Sequence, residues 1–182
     1  MSLSKIFCTS EIGLLKKVIV HRPDMGISRI SPKDAEELLF DDIVFLPQMQ
    51  KEHDIFTDVL KAFIGDENVL FIADLLEESL TADEIKKAEL IRMIVDYEEL
   101  PASFGNIFHR LDNKKLAEVL ITGYYEEEDH YFFDPIPNFI FTRDIAVVVK
   151  DHVIITKAAK EARFRENFLA RFIFWAHPLF QE

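Results

Sequence analysis

Pro137-Asn138-Phe139-Ile140-Phe141-Thr142-Arg143-Asp144 is the stretch on which the reading of this chain turns. It opens on the punctuation Pro135-Ile136-Pro137, runs through alternating apolar residues and ends on an Arg-Asp pair. Ile145-Ala146-Val147-Val148-Val149 follows and reads as a strand buried on both faces. A charged pair between two apolar segments needs partners, because leaving a buried charge unpaired is costly. Asp144 is therefore satisfied either by Arg143 and local amides or by a cationic ligand. On residue type alone, a cap or an ion-pair role is the commoner outcome.

The chain has 182 residues, enough for one domain of ordinary size with a real core. Its apolar fraction of 49% and its 17 phenylalanines place it among globular rather than disordered sequences. A formal net charge of −12 argues against a nucleic-acid backbone or an anionic membrane as a general partner. It suits a cationic ligand, although a solvated acidic surface is the plainer reading. The single cysteine, Cys8, excludes an intramolecular disulfide and a cysteine-based zinc cluster, and no metal site is expected. Met1 to Ser10 lacks a signal-peptide pattern, and no apolar run approaches the roughly 18 residues of a membrane span. The expectation is a soluble, cytoplasmic protein with no membrane partner and no cofactor.

Lys16 to Val20 reads as a strand, ended by His21-Arg22-Pro23, with Arg22 expected in a structural ion pair. Ser31-Pro32-Lys33-Asp34 is a helix start, with serine at the N-cap and proline at the first helical position. Val44 to Phe63 is a long amphipathic helix, with Phe45, Met49, Phe56, Val59, Leu60 and Phe63 at helical spacing. Gly65-Asp66-Glu67-Asn68 stops it and Val69 to Ile72 is a second strand, giving a βαβ unit and a mostly parallel sheet. Thr81 and Glu84 have capping-box spacing for a helix over Ile85 to Glu99, which Pro101 breaks. Asp112 to Thr122 is another helix, ended by Gly123, and Glu126 to Asp129 is an acidic loop. Ile145 to Val149 and Val153 to Thr156 form a hairpin about Lys150-Asp151-His152. Ala158 to Phe174 is a helix with Glu161, Arg163, Arg165, Glu166 and Arg171 on its polar positions.

Asn138-x-x-Phe141-Thr142-Arg143-Asp144 resembles the first active-site motif of the arginine deiminases, within the guanidino-group-modifying superfamily that includes the amidinotransferases. Three further blocks fall in that family's order. Ser10 to Pro23 is similar to its N-terminal strand signature, and Glu37 to Ile43 with Gln50-Lys51-Glu52-His53-Asp54 is similar to its next block. Arg163 to Glu166, leading to His177-Pro178, resembles the block after the motif. Phe164 stands where a more polar residue is expected, and Ile145 where a proline is common.

The resemblance implies an α/β fold, a partial β/α-propeller of about two of five modules, with mixed sheets, helices outside and an inserted helical subdomain. It places the first module at 1–77, the helical insertion at 78–130 and the second module at 131–182. It implies hydrolysis of L-arginine to L-citrulline and ammonia through a cysteine-linked intermediate. Holding a planar guanidinium calls for carboxylates, which match its N–H pairs. By carry-over Asp144 is that carboxylate, Asn138 binds the amino-acid end of the substrate, Phe141 walls the aliphatic stem and Arg163 pairs with the α-carboxylate. The backbone at Leu39 touches the ligand, while Leu38, Leu39 and Phe40 as plain packing residues is the equal alternative. The family's nucleophilic cysteine, its histidine and further carboxylates lie in a second half of the chain that has no counterpart here. Cys8 precedes the first strand signature, the wrong end for a nucleophile. The expectation is thus an N-terminal part, inactive alone, that forms a homo-oligomer or associates with the missing C-terminal half. The alternatives are a guanidino-ligand-binding paralogue without chemistry, a structural or regulatory partner, and an amidinotransferase fragment.

Overall fold

The computed structural model describes residues 6–30, 37–39 and 44–181. The helix start at Ser31 and the Phe40-Asp41-Asp42 block lie outside them. The first unit is strand β1 (Val18–Val20), helix α1 (Met25–Ser28), helix α2 (Leu46–Ile64) and strand β2 (Val69–Phe71). β1 and β2 pair in parallel, Val18 opposite Val69, as the strand–helix–strand order predicts. Pro47 sits in the first turn of α2, where its missing N–H costs nothing, and Gly65 (φ 87°) ends the helix. Arg22 forks onto Asp54 with Nε–Oδ1 at 2.7 Å and Nη2–Oδ2 at 2.9 Å, the expected structural pair.

The face of α2 turned to the molecule carries Leu46 and Thr57, while Phe45, Phe56, Val59 and Phe63 are exposed. Helical spacing identified residues sharing a face but put that face inward. No described element packs over it, because α2 meets α1 and β2 with its opposite side.

Four helices then form the centre: α3 (Ile72–Ala82), α4 (Glu84–Tyr97), α5 (Ala102–Arg110) and α6 (Asn113–Thr122). Leu76, Leu80, Ile94, Phe108, Leu116 and Leu120 are wholly buried among them. The N-cap of α4 is Asp83, not Thr81: its Oδ1 accepts from the Ile85 and Lys86 amides at 3.0 and 3.1 Å. Thr81 instead lies inside α3 and donates to the Glu77 carbonyl. After α6, strands β3 (Tyr124–Tyr125) and β4 (His130–Tyr131) form a short antiparallel pair around the exposed acidic loop.

The last unit holds the one-turn helix α7 (Thr142–Ile145), strands β5 (Ala146–Val149) and β6 (His152–Ile155), and helix α8 (Phe164–Ala176). β5 and β6 pair antiparallel across a tight turn at Lys150, which has φ 55°. The expected strand exists but is not buried on both faces. Val147 and Val149 are 43% and 47% exposed, because a two-stranded hairpin packs one side on α8 and nothing described covers the other. Arg165 and Glu166 depart from the polar face expected of them, at 4% and 1% exposure. α3 packs against both α6 and α8, so one core joins the helices to the hairpin unit. The architecture is mixed α/β, predominantly helical, with one parallel and two antiparallel two-stranded sheets among the described residues. No helix among those residues is long and apolar enough to cross a membrane.

Gly123 is where this packing is least forgiving. It ends α6 in the left-handed region (φ 71°), and a Cβ there would stand 1.9 Å from the Phe133 carbonyl oxygen. Gly123→Ala is expected to lower the unfolding free energy by about 2–4 kcal/mol, from backbone strain plus the clash. Gly105→Ala in α5, whose nearest neighbour would be Val95 Cγ2 at 3.9 Å, is expected to raise it by about 0.5 kcal/mol. Urea unfolding of the two variants reads the opposite signs.

Candidate functional site

The motif itself is a pair of turns rather than the start of a strand. Pro137–Ile140 is a 3-10 turn, the Phe141 amide donates to the Asn138 carbonyl at 2.9 Å, and the Asp144 amide donates to the Phe141 carbonyl at 2.9 Å. Pro137 fixes its own φ at a value suited to a turn, which the apolar alternation of the sequence concealed. Thr142 Oγ1 donates to the Ile19 carbonyl of β1 at 2.9 Å, tying the motif to the first unit. The Thr156 hydroxyl donates to the Asp144 carbonyl and ties it to the end of β6. Asp144 therefore sits at the head of the hairpin with its carboxylate half exposed.

Arg163 draws the predicted residues together. It precedes α8, and its Nη1 donates to Asp144 Oδ2 at 3.0 Å. Its Nη2 reaches the Asn138 carbonyl at 3.4 Å. Nε and Nη2 fork onto Glu166, with Nε–Oε2 at 3.0 Å and Nη2–Oε2 at 2.8 Å. Asn138 in turn donates its side-chain Nδ2 to the Leu38 carbonyl at 2.7 Å, a buried bond across 100 residues of sequence. Leu39, next along, has φ 56° in the left-handed region that a leucine rarely adopts, and it is 39% exposed. Phe141, 49% exposed, closes the turn at Asn138. Asp144, Asn138 and Arg163 thus form one hydrogen-bonded group that also fixes the Leu38–Leu39 turn.

The donors and acceptors limit what this group can still do. A guanidinium has five N–H bonds, of which Arg163 uses one on Nε, two on Nη2 and one on Nη1. One Nη1 donor remains. Asp144 Oδ1 has no partner among the described residues, so the carboxylate keeps an open acceptor toward solvent. Glu166 is the residue that sequence reasoning missed, although its spacing of three from Arg163 is that of a helical ion pair. Burial pushes the Glu166 carboxyl up, and Arg163 pulls it back only in part. Alongside, a cavity of about 280 Å³ is lined by Leu38, Ala162, Glu98 and Glu161. Its one cation, Arg165, is buried and spent on Glu98, the Leu120 carbonyl and the Asp134 carbonyl.

The only cysteine is remote from this group. The Cys8 backbone pairs with Lys150 at the tip of the hairpin, and Asp144 lies at its other end. Four strand residues separate the two ends, roughly 13 Å.

The family model for arginine deiminase matches residues 36–126 and 108–182. The chain belongs to the arginine deiminase family. Named arginine deiminases are similar over nearly all of it. That of Mycolicibacterium gilvum is 31% identical over 201 residues, covering 99% of this chain and 50% of the relative. One from Listeria monocytogenes is 33% identical, covering 94% of this chain and 46% of its own length. One from Rhodococcus erythropolis is 31% identical, with 94% and 47% covered. This deiminase-family chain therefore spans about half the length of the curated relatives it matches, which fits the reading of it as an N-terminal part.

The Arg163–Glu166 pair yields a stability test. Glu166→Ala leaves the largely buried Arg163 cation without its fork and is expected to cost about 3 kcal/mol. Glu166→Gln keeps one acceptor and should cost less. A raised folded-state value means that the native state holds this proton at a pH where the unfolded chain has already lost it. Stability contributed at Glu166 is thus present at low pH and falls as pH rises through the folded value. The wild-type chain should therefore lose ground to Glu166→Gln as pH rises above about 4, the ordinary carboxyl range, read by denaturant unfolding at stepped pH.

Proposed function

We propose that this chain forms the substrate-gripping part of an arginine deiminase, which hydrolyses L-arginine to L-citrulline and ammonia. What carries the reading is the single hydrogen-bonded group joining Asp144, Asn138 and Arg163, on a chain whose relatives are named arginine deiminases. Asp144 Oδ1 is the open acceptor for a guanidinium N–H, and Asp144 already holds the guanidinium of Arg163 on Oδ2 at 3.0 Å. The remaining Nη1 donor of Arg163 takes the substrate α-carboxylate, with Glu166 fixing the fork. Asn138 acts through the Leu38 carbonyl, holding the Leu39 backbone against the ligand, and Phe141 lies along the aliphatic stem.

The chemistry requires a thiolate to attack the guanidinium carbon, ammonia to leave and water to release citrulline. Cys8 stands at the far end of the hairpin from Asp144, so the thiolate and its histidine partner come from the part of the relatives that this chain does not span. In this reading the parallel pair β1–β2 and the hairpin β5–β6 are the sheets of two propeller modules, residues 1–77 and 131–182, with 78–130 inserted as helices. The protein works in the cytoplasm, and its second half or a second copy completes the ring.

The test is citrulline release by the polypeptide of the uninterrupted parent gene. Asp144→Ala is expected to lower kcat/KM for arginine at least about 1000-fold, the size of effect seen when a group that holds the reacting charge is removed. Activity within threefold of wild type would remove Asp144 from the site. A gene that stops at Glu182 and yields no citrulline would leave guanidino-ligand binding without chemistry. In that case arginine binds the wild-type chain in calorimetry and fails to bind Asp144→Ala.

A further inference from the structure

Helix α2 is long but weakly anchored, since only Leu46 and Thr57 of its 19 residues are buried. Two polar contacts hold it to the end of β1. One is the Arg22–Asp54 fork, with both side chains about half exposed. The other is Gln50 Nε2, which donates to the Pro23 carbonyl at 2.8 Å. Exposed ion pairs hold weakly, and segments with few buried contacts are those that open first.

His53 is the titratable group at this contact. Its ring lies against Phe71 of β2, with centroids 6.5 Å apart, and against Phe56 one turn along the helix. Its Nδ1 is buried, closed to water and without a hydrogen-bond partner, whereas Nε2 is not closed off. The neutral ring tolerates this by keeping its hydrogen on Nε2, which leaves a lone pair at Nδ1. A charged ring carries hydrogen on both nitrogens, and a buried N–H without an acceptor bears the full desolvation penalty of that group.

The surroundings also oppose the charge. Burial is the largest influence holding His53 below the ordinary histidine value, His21 and Arg22 act in the same direction, and Asp54 alone favours the cation. Asp54 is already forked by Arg22. His21 is a second enclosed ring, its Nδ1 likewise without a partner and its Nε2 on Asp24 Oδ2 at 2.8 Å. From β2 the facing group is the uncharged Phe71, with Lys61 of α2 5.8 Å from the centre of that ring.

We propose that His53 is an acid-released latch: a proton taken up at Nδ1 finds no acceptor while α2 is docked, so the helix leaves β1 and β2 to hydrate it. Because folding depresses the value, the docked state is favoured above the ordinary value of about 6.5 and loses ground as pH falls below it. Leu38, whose carbonyl takes the Asn138 side chain, lies on the connection between α1 and α2, so the latch is joined by the chain to that turn. The latch does not depend on the role given to Asp144.

Hydrogen exchange of the full chain tests it, with opening constants corrected for the intrinsic rate at each pH. From about pH 7.5 to about pH 5.5 the α2 amides should open about three- to tenfold more often, tenfold being the ceiling for one released imidazole. Amides of α6, which is buried in the core, should not change. His53→Phe keeps a ring beside Phe56 and Phe71 but cannot charge, and it should abolish the rise. His53→Gln, also uncharged and without the ring, should do the same. In an NMR titration the His53 ring should take up its proton below about pH 6.5. The proposal fails if the α2 amides of the wild type open equally at both pH values, or if the rise survives in either variant. A His53 midpoint at or above the ordinary value also overturns it, as does an equal rise in α6, which would mark general loosening in acid.

Discussion

A guanidinium held largely out of water is the constraint on which the rest of this site depends. Arg163 is 19% exposed and Glu166 only 1%, so both charges have lost most of their hydration. Such a pair is tolerated only where geometry is good and the remaining donors find acceptors. Here the fork onto Glu166 fixes the plane of the group, and the fixed plane aims Nη1 at Asp144 and Nη2 at the Asn138 carbonyl. Asn138, so placed, holds the Leu38 carbonyl. One side chain at the start of α8 thereby sets the relative positions of the motif and of a segment 100 residues earlier. A lysine would be a point charge without a plane and could not transmit that geometry.

Much of the fold was legible because it follows local rules. Gly65 and Gly123 end helices at positive φ, Asp112 caps α6 and the Val18 to Val20 run pairs with Val69 to Phe71. Each of those signals sits within a few residues of its consequence. Asp83 shows the limit of such rules: it lies two residues from Thr81, both are cap formers, and only the backbone decides which side chain faces the free amides. α5 went unread for a similar reason. Pro101 stops α4, but the same residue, at φ −52°, is also the entry to the next helix. In the candidate site, residue identity came through resemblance, whereas the contacts depend on turns closed by non-local bonds such as Thr142 to Ile19. Glu166 was legible as a charge on a helix, but its burial is a property of what α8 packs against.

Periodicity has a further limit that two elements make plain. Phe56, Val59 and Phe63 share a face of α2, and Val147, Val149 and Ile154 share a face of the hairpin, yet both faces are exposed. A sequence period states which side chains are neighbours. Which neighbours meet the core depends on what lies across from them, and across from these faces no described residue lies. The relatives are about twice as long as this chain, so the same apolar pattern in them has more protein available to meet it.

Charge alone is an equally poor guide to where a cation binds. The acidic run Glu126 to Asp129 is the densest in the chain, yet Tyr124 donates to Asp129 and Tyr125 to Glu127, and the loop is otherwise solvated. Its carboxylates are served by hydroxyls and water, and a ligand would gain little by displacing them. Asp144 is different because one of its oxygens is fixed by Arg163 and the other is open. There an unmet hydrogen bond in a fixed geometry, rather than the net charge of −12, suits a ligand rich in N–H donors.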